Sequence, residues 1–459
     1  MRVSTTVRVL SLGIILITQA IYGQAKEESS CGPPEYCART DSKIEPYPEV
    51  PPKLGAAGTV LVDQSFGSRI LRVTDPSSDF ENRQRSFMTT ASAEQNTWNS
   101  DSTSFYIHTT EGQRLVYSFE PSKMRPGKAR LLQAPWQADP DFSYLRPNAL
   151  YGVRYLDPAF QEYDVQSRQI TRLHKVSECF QLHNGDSANA SVSVSADDQR
   201  FVTILGPEQD RNYLIYIFDR KLGCRWYNTQ TGQVGGKWGP TGTISAADRF
   251  SIHSAKMSKS GKFMWIDRGQ STVGRSWVVW EVETTKVSSC PAACGGHLAM
   301  GYSHILGPLG DEHPLDFLMR PLDDVSKTTR ASKNRTPLHG ERLWYSIHLS
   351  WNHINVDDSN PVCLATYSPY NPKSPGKPLD AVSAGENEIV CVEVDGRDNR
   401  IWRFAHTFST GQGGFWSTPR GNLSQDGRFY LFTSDWENTL GVEPRSRAFR
   451  TDVFLVELR

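Results

Sequence analysis

Eleven histidines are spread unevenly along the 459 residues: none lies in the first hundred, and eight lie from His253 onward. Several stand at or just before short β-prone segments. His183 and Asp186 precede 191–195, His253 precedes Met257, and His297 opens the run to Tyr302. His348 and His353 flank Leu349-Ser350-Trp351, and His406 lies ahead of the last such segment. Imidazole changes charge near neutral pH and ligates Mn, Zn, Fe, Ni or Cu. If the segments converge, His297, His348, His353 and His406 form a candidate site for a divalent metal ion. Taken singly, each is a core residue bonded to backbone, or a surface residue. Cys290-x-x-x-Cys294-x-x-His297 has the look of a zinc site, but in an oxidising compartment the two cysteines read as disulfide-bonded. No Gly-x-Ser-x-Gly elbow or phosphate-cradling Walker loop is present.

Convergence requires a fold that gathers distant segments. From Gly55 onward helical periodicity is nearly absent, and short runs of Val, Ile, Phe, Tyr and Trp alternate with Gly, Asp, Asn and Ser. A tight turn followed by a Phe-led strand recurs at 99–105, 195–201, 258–263 and 424–429. One turn, the strands beside it and a third strand make a propeller blade. The spacing predicts an all-β, seven-bladed β-propeller with blades near 92–135, 145–178, 189–230, 252–289, 297–346, 347–405 and 416–459. The last blade lacks an outer strand, and the N-terminal segment 58–75 is expected to close it and hide both edges. A large β-sandwich or two all-β domains is the competing architecture. Innermost strands line a propeller's axis, so histidines at equivalent places in several blades would meet there.

The domain reading is a signal peptide over 1–25, a Pro-rich leader over 26–54 and the propeller over 55–459. Arg2 and Arg8, the apolar run 9–21 and the small residues Gly23 and Ala25 carry the first assignment. No later run is long enough to span a bilayer. The expected location is therefore secreted or periplasmic, without a membrane anchor. Eight cysteines lie after the signal, an even number that reads as disulfides. Proximity suggests Cys31 with Cys37 and Cys290 with Cys294, and Cys363 with Cys391 could staple adjacent strands. Lys+Arg and Asp+Glu each number 50, so nothing points to nucleic acid.

The stretch Asn422-Leu-Ser-Gln-Asp-Gly-Arg-Phe429, with the strand 452–457, resembles the Ser-x-Asp-Gly repeat of TolB-like propellers. His348-Leu-Ser-Trp-Asn-His353, Asp357-Asp358 and 362–367 resemble a histidine-bearing blade start of the oligogalacturonate lyases, and Gly296-His297 through Tyr302 resembles another. That resemblance implies manganese held by histidines at the channel mouth and β-elimination on uronic-acid glycans. The family's adjacent histidines and glutamine ligand have no clear counterpart here.

A polyuronate substrate sets further demands: a cation to neutralise the C6 carboxylate, and a base to take the C5 proton. Arg420 could clamp the carboxylate through two parallel hydrogen bonds. His183 or His253 is the expected base, and Trp98, Trp351 and Trp416 would stack on sugar rings. The expected partner is thus an acidic glycan, the alternative being a non-catalytic glycan- or protein-binding propeller. A hydrolase would instead need two facing carboxylates, with Glu94, Asp186 and Asp267 as candidates.

Overall fold

The computed structural model describes residues 31–459, except 245–248, 270–275, 291–293, 295–297, 309–316, 333–345, 368–383 and 399. The proposed signal peptide and His297 lie outside the described residues. The chain is an all-β propeller, with only four short 3-10 turns and no α-helix among the described residues.

The described strands pair into seven antiparallel sheets. Sheet 1 runs from Phe87–Met88 through Ser104–Thr109 and Arg114–Glu120 to two short edge pieces. Sheet 2 is Asp141–Phe142, Ala149–Val153, Ala159–Asp164 and Ile170–Lys175. Sheet 3 begins with Ser187–Ala188 and Ser193–Val194, followed by Arg200–Gly206, Leu214–Asp219, Gly223–Asn228 and two outer strands. Sheet 4 is Ile252–Met257, Phe263–Arg268, Ser276–Glu281 and Val287–Cys290. Sheet 5 is Ala299–Met300, His304–Pro308, Phe317–Pro321 and Arg330–Ser332. Sheet 6 is Ser346–Ser350, Val362–Tyr367, Glu388–Val392 and Ile401–His406. Sheet 7 takes Gly421–Leu423, Phe429–Ser434 and Asp452–Glu457 from the C-terminal part, then Arg69–Arg72 and Val60–Val62 from the N-terminal part. Ile70 pairs with Val456 and Leu71 with Leu455.

Side-chain alternation explains the layering. Successive residues of a strand face opposite sides, and here both sides are buried. Tyr106 packs towards Phe142 and Leu150 of sheet 2, whereas Phe105 and Ile107 pack towards Phe429 and Leu455 of sheet 7. Five more apolar clusters join sheet 2 to 3, 3 to 4, 4 to 5, 5 to 6, and 6 to 7.

The recurrent turns share one device. The hydroxyl of Ser195, Ser258 or Ser424 accepts the backbone N–H five residues later, at 2.9, 3.2 and 3.0 Å. In two of these turns the same serine also donates to an aspartate at i+2, at 2.6 Å in each. Such local bonds are what Ser and Asp offer a turn. The Phe that starts the next strand is fully buried at Phe105, Phe201 and Phe429.

Leader residues lie along the outer strand of sheet 6. Arg403 donates to the carbonyls of Asp41 and Lys43 at 3.0 and 2.7 Å, and Trp436 donates to Pro52 O at 2.8 Å. Disulfides join Cys290 to Cys294 and Cys363 to Cys391, the latter across paired strands. A third joins Cys179 to Cys224, too far apart in sequence for proximity to suggest it.

Candidate functional site

Arg420 stands just before the innermost strand of sheet 7. Its side chain is fully buried, yet none of its three guanidinium nitrogens has a hydrogen-bond partner among the described residues. The guanidinium carbon lies 3.9 Å from the ring centre of Phe415 and 4.7 Å from that of Trp416. Both rings come from the 3-10 turn Phe415–Ser417, and Thr89 fixes the backbone by donating to Arg420 O at 2.6 Å. The two rings give a cation–π contribution but no acceptor for five N–H donors. Burial pushes Arg420 down to about 10, while Tyr367 and Asp139 act in the opposite sense. A buried cation without acceptors is costly to the fold. An incoming anion would relieve that cost, and a carboxylate matches the fork in shape.

Two groups beside the Phe415 shelf can handle protons. His348, buried on the inner strand of sheet 6, has its ring centre 5.9 Å from Phe415 and 6.5 Å from Tyr367. Tyr367 ends the next strand of that sheet. On the sheet 1 side, Asp139 sits 2.9 Å from His108 Nε2 and 3.4 Å from Arg114. Burial alone would raise Asp139, but His108 and Arg114 outweigh it and hold the carboxyl well below the usual range.

The axis itself is packed with polar groups. Glu94, Asp141, Lys256, Lys259 and Asn352 line a cavity of about 30 Å³, room for a water or two. Gln95 bridges two of them, donating to Asp141 at 2.6 Å and accepting from Lys256 at 3.1 Å. Lys259 donates to Trp351 O. Burial pushes Glu94 and Asp141 up to about 7 and Lys259 down to about 7. Asn422, two residues beyond Arg420, grips the loop carrying Glu94 through the carbonyls of Ala93 and Gln95, both at 3.1 Å.

The residues expected from sequence separate into groups. Arg420, Trp416 and His348 come together. His183 and His253 do not join them: His183 bonds Tyr213 at 2.8 Å beside sheet 3, and His253 bonds Asp210 at 2.5 Å on the surface. Trp98 and Trp351 are core rather than sugar platforms. Trp98 is fully buried among Phe105 and Phe119, and Trp351 is buried and donates to Asn360 O at 2.7 Å. Trp416 alone of the three is open, at 49% exposure.

The described members of the metal set, His348, His353 and His406, are not brought together. His406 ends the outermost strand of sheet 6, accompanied by Asp63 at 3.3 Å and Glu45 O at 3.2 Å. Three strand spacings separate it from the inner strand carrying His348, roughly 14 Å. His353 is buried against Trp351, 3.8 Å from Asp358. Among the described residues no three His, Cys, Asp or Glu side chains are grouped to hold a metal, so the described donors do not fit the manganese that the resemblance implied; His297 lies outside them. The carboxylates suggested for hydrolysis also occupy separate settings: Glu94 faces the axis, Asp186 accepts from Tyr213, and Asp267 is buried in sheet 4.

Sequence reading missed Phe415, Tyr367, Asp139 and His108. The aromatic pair Phe415-Trp416 stands four residues before Arg420 and was a usable signal.

The chain matches no family model and no curated protein. Solved structures similar to it include an oligogalacturonate lyase from Vibrio parahaemolyticus, with 10% identity, 89% of this chain and 98% of that chain covered, and a TM-score of 0.48. An oligogalacturonate lyase in complex with manganese gives 10% identity, coverage of 89% and 98%, and a TM-score of 0.39. TolB from Acinetobacter baumannii gives 11% identity, coverage of 58% and 61%, and a TM-score of 0.34. The propeller assignment rests on the strand pairing described above and not on these likenesses.

Proposed function

We propose that this chain is an exported propeller acting on uronic-acid glycans by β-elimination, at the mouth formed by sheets 6 and 7. One observation carries the reading: a fully buried guanidinium, without a described acceptor, packed against two aromatic rings. In this reading each sheet is one blade of a seven-bladed ring, and the N-terminal strands close the last blade. Arg420 takes the C6 carboxylate, which withdraws charge and makes the C5 proton acidic. His348, read from sequence as a metal ligand, here accepts that proton through its ring nitrogen. The C5–H electron pair forms the C4=C5 double bond, the C4–O bond breaks, and the leaving oxygen takes a proton from the Tyr367 hydroxyl. Solvent exchange resets both groups. No step is assigned to a metal. The disulfides support an extracytoplasmic location.

The test is incubation of the purified chain with uronic-acid oligosaccharides while following absorbance from unsaturated products. Product formed by the wild type and lost in Arg420→Ala is the expected result. Saccharide binding that depends on Arg420 without any product would replace catalysis by simple recognition. Neither product nor binding would sink both.

A further inference from the structure

Trp416 packs on Arg420 and also lines an open groove of about 890 Å³ where residues 443–451, ahead of the strand Asp452–Glu457, meet the start of sheet 1. That volume is at the upper end for ligand sites. Phe449, 37% exposed, offers a second apolar face in the same groove. Arg83, Arg85 and Arg445 all reach Glu111, at 3.0, 3.1 and 2.5 Å. Behind them Asp79 and Glu81 pair with Arg85 and Arg83. Arg445 differs from the other two: it is 81% exposed and among the described residues only its Nη1 is engaged, by Glu111. The second lining carboxylate, Glu443, is already occupied by Ser86 N at 2.9 Å and the Thr110 hydroxyl at 2.7 Å.

We infer that this groove is an extended subsite for the same acidic glycan, taking the sugars that continue beyond the one held at Arg420. The inference rests on the uronate reading above and adds chain length to it. Trp416 joins the two places, since a sugar on its open face continues directly from one whose carboxylate sits on Arg420. Phe449 supplies the next stacking face, and the open N–H groups of Arg445 meet a second carboxylate. A long acidic saccharide therefore gains contacts that a disaccharide lacks.

Calorimetric titration of the full chain with a uronic-acid disaccharide and hexasaccharide tests this, using wild type, Arg445→Gln and Phe449→Ala. Both altered residues are surface-exposed, and neither is among the rings packed on Arg420. The expected result is hexasaccharide binding about tenfold tighter than disaccharide in the wild type, most of it lost in each variant, with disaccharide affinity unchanged within about twofold. Disaccharide binding with no gain for the hexasaccharide, or a gain that survives both substitutions, would overturn the subsite alone. A neutral hexasaccharide binding equally well would overturn its acidic specificity. No binding of either acidic saccharide would bring down the Arg420 reading and this inference together.

Discussion

The Arg420 guanidinium sits 3.9 Å over the ring of Phe415, five residues earlier in the chain, so cation and aromatic shelf arrive as one local unit. The shelf compensates only part of the lost hydration. Arg420→Leu is therefore expected to raise the unfolding free energy by about 1–3 kcal/mol, since it removes a buried unpaired charge. Urea denaturation measures the gain, and anion binding should vanish in the same variant. A loss of stability would mean that the guanidinium is satisfied in the fold.

Phe415→Ala leaves the cation and removes one ring. The expected cost to saccharide affinity is about 1–2 kcal/mol, read by titration, while Phe415→Tyr restores it. An unchanged affinity in Phe415→Ala would detach the ring from the site.

Glu94 gives a pH signature. Its carboxyl is raised from an ordinary 4.5 to about 7, chiefly by burial, so the folded chain keeps a proton that the unfolded chain releases. The stability it contributes is complete below about pH 4.5 and is lost as pH rises through about 7. Glu94→Gln should therefore gain stability relative to wild type across that window, by about 1–3 kcal/mol. Denaturation at pH 4, 6 and 8 checks the sign. A difference that shrinks with rising pH contradicts the assignment.

Glu388 and Arg403, both nearly inaccessible, pair at 2.6 and 2.7 Å, and the same guanidinium holds the leader carbonyls of Asp41 and Lys43. Glu388→Ala strands a buried cation at a cost of about 3–5 kcal/mol. Limited proteolysis should then cut within residues 36–52 well before wild type is cut. Equal cutting rates would show that the leader is held by other contacts.

The fold was largely legible in sequence because its turns repeat a local chemistry. The serine at 195, 258 or 424 and the Phe after it act within a few residues, so their spacing alone identifies the unit. The site was legible only where it is local. Arg420 and Trp416, both expected from sequence, stand together because both lie just before one strand start. His406 was misplaced because nothing in Ile401–His406 tells an outer strand from an inner one, and Trp98 because a buried ring and a sugar platform use the same residue. Asp139 and His108 meet across sheets 1 and 2, a relation that only the three-dimensional packing creates.

The pairing of Ile70 with Val456 and Leu71 with Leu455 has a consequence in time. A chain emerging from a ribosome or an export pore presents Arg69–Arg72 well before its partner strand Asp452–Glu457. Until residue 457 is free, the early strand has an unpaired edge. Pairing strands so distant in sequence slows folding and leaves that edge exposed to other chains meanwhile.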